Sequence, residues 1–169
     1  RKADWVATVT INRAHNYNAY STAALRELAT AVQDAAFDDA VGVIVVTGAG
    51  TAAFCTGGDV KEYEEAYTSR PRDYWKYMGL FRAWIESLVN AGKPVIARIN
   101  GMAAGGGNES QLACDLAVMA EHAWLGQVGT RVGSVVLAER AGLEDGPGIR
   151  GMAGAIRART DQCRASIEV

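Results

Sequence analysis

Two glycine-rich turns contain the residues whose types and spacing are best suited to chemistry. One covers residues 54–59 and the other covers residues 101–109. Each turn follows an apolar, β-branched run and precedes a helical pattern. Such a turn points main-chain N–H groups outward at a helix start, and glycine leaves no Cβ to block a ligand. Two turns that meet at one point can therefore bind a single developing negative oxygen.

Glu109 follows three consecutive glycines, residues 105–107, and is expected in the first turn of a helix. A glutamate at such a position most often only complements the helix dipole, and Gly58 taken alone is most often an ordinary turn glycine. Together, two convergent turns and a carboxylate indicate a catalytic or substrate-facing role for Glu109. A phosphate-binding loop is the alternative, but the sequence has neither a Walker lysine nor the Rossmann glycine spacing. We therefore predict an anion or oxyanion site.

Other reactive side chains give weaker indications. Lys61 lies two residues past the first turn and is placed to meet a phosphate, although such a lysine is by default a surface residue. His15 and His122 are isolated, and each is interpreted as a surface histidine. Cys55 and Cys114 stand in apolar surroundings and are interpreted as packing residues. Three cysteines in the whole chain are too few and too scattered for a disulfide framework or a metal site.

Length and composition indicate one globular domain. The chain has 169 residues, of which 49% are hydrophobic and 21% are charged, with a net charge of −2. This composition excludes a disordered chain, and the mixed charges exclude a nucleic-acid-binding surface. No apolar run reaches the roughly 18 residues that a membrane span needs, and no signal-peptide pattern is present. We expect no membrane partner and a reduced, cytoplasmic location.

The elements that must position the two turns alternate between strand and helix. A strand is predicted over residues 5–11, and Ser21 is a suitable N-cap for the helix that follows it. Continuous apolar runs at 41–47 and 95–99 are typical of strands buried on both faces. The aromatic stripe at 74–84 is interpreted as core, with a ligand channel as the alternative. Further helices are predicted at 59–67, at 71–90 and after the second glycine turn, where Leu112 and Ala113 begin the apolar side, and a last strand is predicted at 116–119. This order predicts an α/β fold with parallel strands and crossovers.

Three phrases of the sequence resemble the crotonase (enoyl-CoA hydratase/isomerase) superfamily. They are residues 54–62, residues 93–97 with the Asn-Gly pair at 100–101, and residues 105–116. The resemblance covers the chain from about residue 5 to residue 134. It implies a repeated β-β-α spiral, assembly into a trimer or hexamer, and acyl-CoA thioesters as partners. It implies no separate cofactor and no metal, because CoA is part of the substrate.

The same resemblance implies a role for each residue of the two turns. The N–H groups of Gly58 and Gly106 would form the oxyanion hole for the thioester carbonyl, and Glu109 would be the first catalytic glutamate. Substrate and CoA binding would fall to Gly58, Asp59, Val60, Lys61 and Gly106.

Departures from the family pattern indicate which of the family's activities to expect. Gly129 stands where hydratases have a second glutamate, which argues against plain hydration. The phrases at 16–20 and 74–81, together with Gly129, resemble the branch of 6-oxocyclohex-1-ene-1-carbonyl-CoA hydrolases, which hydrate and then open a cyclic enoyl-CoA. That branch has a histidine where this chain has Val132 and an aspartate where it has Asn12.

The sequence divides into a crotonase-like core, residues 1–134, and a tail, residues 135–169, that lacks the helices expected there. We therefore expect the C-terminal helical part to be atypical or truncated. The best-supported function is hydration and hydrolytic opening of a cyclic enoyl-CoA. Three alternatives stay open: a hydratase or isomerase of linear enoyl-CoA thioesters, a relative that binds acyl-CoA without turnover, and a phosphate-binding domain unrelated to thioesters.

Overall fold

The fold contains two β-sheets, and after its first three strands the chain alternates between them. The computed structural model describes residues 1–127. The strands are β1 Lys2–Ala3, β2 Val6–Ile11, β3 Val43–Gly48, β4 Ala53–Cys55, β5 Val95–Ile99, β6 Met102–Ala104, β7 Leu116–Met119 and β8 Leu125–Gly126. The larger sheet has the order β1-β2-β3-β5-β7 and the smaller has the order β4-β6-β8. Every strand pair is parallel except the β1–β2 hairpin.

Two of the four α-helices in residues 1–127 follow short strands of the smaller sheet, β4 and β6. The helices are α1 Thr22–Phe37, α2 Val60–Glu62, α3 Pro71–Val89 and α4 Gly106–Leu112, with a 3₁₀ turn at Ala14–Asn16 and a π-helical turn at Tyr63–Tyr67. The sequence β3-β4-α2 is repeated as β5-β6-α4, and β7-β8 begins the same pattern again. This confirms the α/β fold and the repeated β-β-α pattern that the resemblance implies.

The helix α1 forms where its N-cap and its apolar spacing predict it. The Ser21 hydroxyl accepts a hydrogen bond from the Ala24 N–H at 3.3 Å, which satisfies one of the free N–H groups at the helix start. Leu25, Leu28 and Val32 recur on one face and are buried against the sheet and α3. Strand β5 coincides with the predicted apolar run at 95–99.

The long helix α3 carries the predicted aromatic stripe and begins at a proline, as expected. Its buried face includes Tyr77, Phe81 and Trp84. The Trp84 indole N–H donates to the Ser110 hydroxyl at 2.9 Å, so α3 is attached directly to α4. A buried indole needs such a partner, and this bond fixes the register between the two helices.

Two sequence-based predictions are corrected here. The apolar side of the helix after the second glycine turn is expected to begin at Leu112 and Ala113, but α4 ends at Leu112. Asp115 pairs with β5 instead: its N–H donates to the Val95 carbonyl and its carboxylate accepts from the Val95 N–H, both at 2.9 Å. The sequence analysis assigns residues 54–55 and 102–104 to the glycine turns, but these residues belong to the short strands β4 and β6, which pair with each other.

Within residues 1–127, no helix is long and apolar enough to cross a membrane. The predictions on Gly129, Val132 and the 135–169 tail lie outside the described residues.

Candidate active site

The two glycine turns meet, as the sequence predicts. Strands β4 and β6 are hydrogen-bonded neighbours, with Cys55 opposite Ala103, and each runs directly into its turn. Gly57 has a φ of +90°, which favours glycine, and a Cβ built on it would lie 3.0 Å from the backbone nitrogen of Gly106. The Gly106 nitrogen is therefore in contact with the first turn.

Within residues 1–127, the N–H groups of Gly58 and Gly106 have no protein acceptor. The Tyr20 N–H donates to the Gly57 carbonyl at 2.9 Å, and the Asp59 N–H donates to the Tyr20 carbonyl at 3.1 Å. In this parallel bridge the middle residue, Gly58, directs its own N–H away from Tyr20. Gly106 is the first residue of α4, so its N–H has no acceptor within the helix. Neither N–H donates to another residue in the described part of the chain.

Glu109 lies in the first turn of α4 and is only 6% exposed. Its main-chain N–H donates to the Gly105 carbonyl at 3.1 Å, and its Oε1 accepts a hydrogen bond of 3.2 Å from the Gln127 side-chain amide. The carboxylate is thus held one helical turn from the Gly106 N–H, on the helix end that favours negative charge.

A chain of three side-chain amides leads to Glu109. Gln111 Nε2 donates to Asn108 Oδ1 at 3.1 Å, and Asn108 Nδ2 donates to Gln127 Oε1 at 3.2 Å. Gln127 then donates to Glu109. We call Gln111, Asn108 and Gln127 the amide relay. No role for these residues follows from the sequence. Asn108 and Gln111 belong to a run of polar residues after the glycines, residues 108–111, which proves to be buried, whereas Gln127 lies outside that run.

The Asp59 carboxylate holds the first turn in place. Its Oδ2 accepts from Arg13 Nη2 at 2.7 Å and from Asn16 Nδ2 at 3.0 Å, and its Oδ1 accepts from the Lys61 N–H at 3.2 Å. Val60 is 72% exposed and Lys61 is exposed, so both are accessible beside the turn. That Asp59, Val60 and Lys61 bind the CoA part of a substrate stays a prediction.

Three tyrosine hydroxyls lie against the two glycines that carry the free N–H groups. A Cβ built on Gly58 would overlap the Tyr63 hydroxyl and lie 2.5 Å from the Tyr77 hydroxyl. The Tyr63 hydroxyl donates to the Tyr77 hydroxyl at 2.5 Å. A Cβ on Gly106 would overlap the Tyr20 hydroxyl. This arrangement is absent from the sequence-based prediction, because the three tyrosines come from three separate elements.

Burial keeps these phenols neutral. Desolvation raises the pKa of Tyr63 to about 12 and raises the pKa values of Tyr20 and Tyr77 well above the usual range of a phenol. A neutral phenol retains its proton and is a hydrogen-bond donor near neutral pH. The hydroxyls therefore add donors to the site, in addition to the two main-chain N–H groups.

The rings of Tyr63 and Tyr77 belong to a larger group, which we call the tyrosine cluster: Tyr63, Tyr67, Tyr74 and Tyr77. The Tyr63 and Tyr77 rings meet edge to face, with centroids 4.9 Å apart at an angle of 80°. Tyr74 packs edge to face on Tyr63 with centroids 5.9 Å apart. Tyr67 shares a hydrogen bond with the Thr22 hydroxyl. The π-helical turn places Tyr63 and Tyr67 in this cluster, and such turns often mark functional sites.

The remaining reactive side chains are structural or lie apart from the turns. Burial raises the pKa of both the Cys55 and the Cys114 thiol to about 12, which suits packing rather than nucleophilic chemistry. His122 Nε2 lies 3.2 and 3.1 Å from the carbonyl oxygens of Thr51 and Asn100, and His15 is exposed. Asn12 is exposed just after β2. Residues 1–127 contain no group of three or more side chains placed to hold a metal ion.

Comparison with known proteins gives a family match over most of the chain. The model of the enoyl-CoA hydratase/isomerase family matches residues 1–142. Among curated proteins, the 6-oxocyclohex-1-ene-1-carbonyl-CoA hydrolase of Syntrophus aciditrophicus is 41% identical over 128 residues, which cover 76% of this chain and 34% of the relative. The protein of the same name from Geobacter metallireducens is 38% identical over 131 residues, covering 78% and 34%. The chain thus spans about a third of the length of these relatives.

Solved structures show the same fold. An enoyl-CoA hydratase/carnithine racemase from Magnetospirillum magneticum superposes with a TM-score of 0.74 at 30% identity, over 79% of this chain and 50% of that one. An enoyl-CoA hydratase from Bacillus anthracis gives a TM-score of 0.72 at 35% identity, over the same shares of the two chains.

Proposed function

The chain belongs to the enoyl-CoA hydratase/isomerase family, and on that premise we propose that it processes acyl-CoA thioesters at the site formed by Gly58, Gly106 and Glu109. One observation carries the proposal. Two main-chain N–H groups from different turns have no acceptor among the described residues at the point where the turns touch, and a buried carboxylate stands one helical turn away. Donors placed in advance for a developing oxyanion are the main requirement of thioester enolate chemistry.

The first reaction step we propose is addition of water to a conjugated enoyl thioester. The two N–H groups hold the thioester carbonyl oxygen. Glu109 takes a proton from water, the new C–O bond forms at the β-carbon, and the electron pair of the double bond moves onto the thioester oxygen as an enolate. A proton then returns to the α-carbon. Each N–H donor of such a hole typically contributes about 10²–10³ in rate.

The second step we propose opens a ring that carries a ketone. Hydration of 6-oxocyclohex-1-ene-1-carbonyl-CoA leaves a ring ketone β to the thioester carbonyl. A second water adds to that ketone, and collapse of the adduct breaks the bond between the ketone carbon and the α-carbon. The electron pair of the broken bond again becomes the thioester enolate, which takes up a proton. The product is an open-chain β-hydroxy thioester with a terminal carboxylate, so one oxyanion hole serves both steps.

The substrate is proposed from the curated relatives. Two proteins named 6-oxocyclohex-1-ene-1-carbonyl-CoA hydrolase are 38–41% identical to this chain over about three quarters of its length. The solved structures favour a second candidate, hydration or isomerisation of a linear enoyl thioester, because they are named enoyl-CoA hydratases at 30–35% identity. A homo-oligomer and a cytoplasmic location remain predictions from the resemblance.

A substrate panel and one variant test the proposal. The protein is assayed with 6-oxocyclohex-1-ene-1-carbonyl-CoA and with a linear enoyl-CoA, and products are identified by mass after chromatography. Hydrolytic opening adds two waters to the cyclic thioester, whereas hydration adds one. Glu109→Gln keeps the side-chain shape and removes the base, so turnover should fall about 10²–10⁴-fold. Full turnover in that variant would remove Glu109 from its assigned role.

A control variant separates loss of the base from loss of folding. Glu64→Gln makes the same chemical change at an exposed glutamate of the π-helical turn. It should leave turnover unchanged. If the unaltered protein binds an acyl-CoA in a calorimeter but converts no member of the panel, the chain is a binding relative and the proposed activity is wrong.

A further inference from the structure

The hydroxyls of Tyr63 and Tyr77 form a donor pair beside the oxyanion hole. Both oxygens lie within 2.5 Å of the position that a Cβ on Gly58 would occupy, and Gly58 supplies one of the two N–H groups that have no acceptor within residues 1–127. The two hydroxyls share one hydrogen bond of 2.5 Å. Two phenols carry two protons, and a single mutual bond uses only one of them. The pair therefore has one O–H left to donate to a further acceptor next to Gly58.

The chemistry of a ring-ketone thioester supplies such an acceptor. The ketone oxygen and the thioester oxygen stand in a 1,3-relation, so in a planar enolate they can lie side by side. When water attacks the enoyl group, negative charge spreads onto both oxygens. When water attacks the ketone, its oxygen becomes the oxyanion of the adduct. A substrate of this class needs a second donor site adjacent to the first in both steps.

We propose that the paired hydroxyls of Tyr63 and Tyr77 bind a second oxygen of the acyl group, on the carbon β to the thioester carbonyl. They select thioesters that carry this oxygen over simple enoyl thioesters. The substrate class in this inference rests on the proposed function, whereas the position of the donors rests on the tyrosine pair alone. The desolvated setting strengthens a hydrogen bond to a developing charge and penalises a ligand that leaves the donor unpaired.

Packing holds the pair in position. Tyr77 is 2% exposed on α3, and its ring meets Tyr63 edge to face. Tyr74, the neighbour of both rings, is 43% exposed and is not among the residues nearest to a Cβ built on Gly58. Tyr63→Phe and Tyr77→Phe each delete one oxygen and keep the ring, so the cluster packing is retained. Tyr74→Phe makes the same change in the same cluster and is the matched control.

The kinetic test compares two cyclic substrates that differ only in the ketone. Values of kcat/KM are measured for 6-oxocyclohex-1-ene-1-carbonyl-CoA and cyclohex-1-ene-1-carbonyl-CoA. Tyr77→Phe removes the hydroxyl that keeps the unused proton, and it should lower the value for the ketone substrate about 10²-fold, the effect typical of a lost oxyanion donor. Tyr63→Phe removes only the hydroxyl that orients this donor, so it should lower the value less, and both variants should leave the ketone-free substrate within about threefold. Tyr74→Phe should change neither. An equal loss on both substrates, or no loss on either, overturns the inference.

A binding test does not depend on turnover. Calorimetry compares 2-oxocyclohexane-1-carbonyl-CoA with cyclohexane-1-carbonyl-CoA in a Glu109→Gln background, and chromatography confirms that each ligand stays intact. The ketone ligand should bind about 10-fold more tightly, and adding Tyr77→Phe, which removes the free donor, should abolish that preference. A preference that survives Tyr77→Phe overturns the inference while the proposed function stands. If the preference depends on the tyrosine but the protein with Glu109 intact converts no enoyl thioester, the proposed function is wrong while the tyrosine site stands.

Discussion

The side-chain amide of Gln127 donates a hydrogen bond of 3.2 Å to Oε1 of Glu109. The bond joins the end of β8 to the first turn of α4. The same two segments are also joined through the backbone, since the Gly105 N–H donates to the Gly126 carbonyl at 3.0 Å. The position of the carboxylate therefore depends on the pairing of β6 with β8 as well as on its own helix.

We predict that Gln127→Leu lowers kcat about 10-fold or more with little change in KM. The leucine keeps most of the volume but removes a hydrogen bond to a charged group, which typically contributes about 1.5–3 kcal/mol. Glu109 then loses its orientation while the oxyanion donors remain. Steady-state kinetics check the result, with Gln33→Leu on the exposed side of α1 as the control. A change confined to KM would show that Gln127 binds substrate rather than positioning Glu109.

We predict that Gly106→Ala disrupts the oxyanion hole. A Cβ there would overlap the Tyr20 hydroxyl and lie 3.3 Å from a ring carbon of Phe81. Because the Tyr20 ring is buried, it has little room to move, and the donors should be displaced at a cost of about 10²-fold in kcat/KM.

The control for this change is Gly79→Ala. Gly79 lies within α3, and a Cβ added to it would point into open space, so alanine there should keep activity and raise the free energy of unfolding by about 1 kcal/mol. Urea denaturation and the same assay measure both effects. Equal activity of the Gly106→Ala protein and the unaltered protein would contradict the placement of the hole.

We predict that the Arg13–Asp59 pair stabilises the first turn more than an exposed ion pair does. Its N–O distance is 2.7 Å and its side chains are 28% and 11% exposed. Arg82 and Glu86 form a pair at 2.8 Å with 77% and 52% exposure. A double-mutant cycle with Arg13→Met and Asp59→Asn should give about 1–3 kcal/mol of coupling, whereas the exposed pair should give about 0.5 kcal/mol or less. Equal coupling in the two cycles would contradict this.

We predict that stability falls as the solution becomes alkaline. Burial raises the pKa of Cys55 and Cys114 to about 12, whereas the unfolded thiols ionise near 8.5. Between these values the native state holds protons that the unfolded state releases, so the free energy of unfolding decreases as pH rises. Tyr63, with its pKa raised to about 12, adds to the loss above about pH 10.

Urea denaturation at a series of pH values measures this decrease. Cys114→Ala removes one of the buried thiols and should make the decrease shallower. A free energy of unfolding that stays constant from neutral pH to about pH 11 would contradict the burial argument.

The sequence predicts the elements with strong periodicity and misses the shortest ones. Helix α1 and strand β5 follow from their apolar spacing and their stop signals. Strands β4 and β6 have three residues each, too few for an alternating pattern to be distinguished from a turn. Helix α4 begins with glycines and buries polar residues, so it shows no apolar stripe. Its first turn does contain Glu109, as predicted, but the apolar side expected from Leu112 lies at and beyond its end.

The candidate site likewise has one part that the sequence predicts and another part that it misses. The meeting of the two turns is predictable because parallel strands bring their carboxyl ends to one edge. The convergence of Tyr20, Tyr63 and Tyr77 is not, because it depends on how α3 and the π-helical turn pack on the glycines. The amide relay escapes prediction for a similar reason: Gln127 contacts Glu109 only after β8 has paired with β6.

The bridge between Tyr20 and Gly58 has a consequence for folding kinetics. It joins residues on either side of α1 and β3, and the glycine turn it closes must then meet a second turn that follows α3 and β5. Such non-local contacts are slow to form, because the intervening chain must be ordered first. Local helical structure in α1 and α3 should accordingly appear early in refolding, and binding of a thioester should be among the last properties to return.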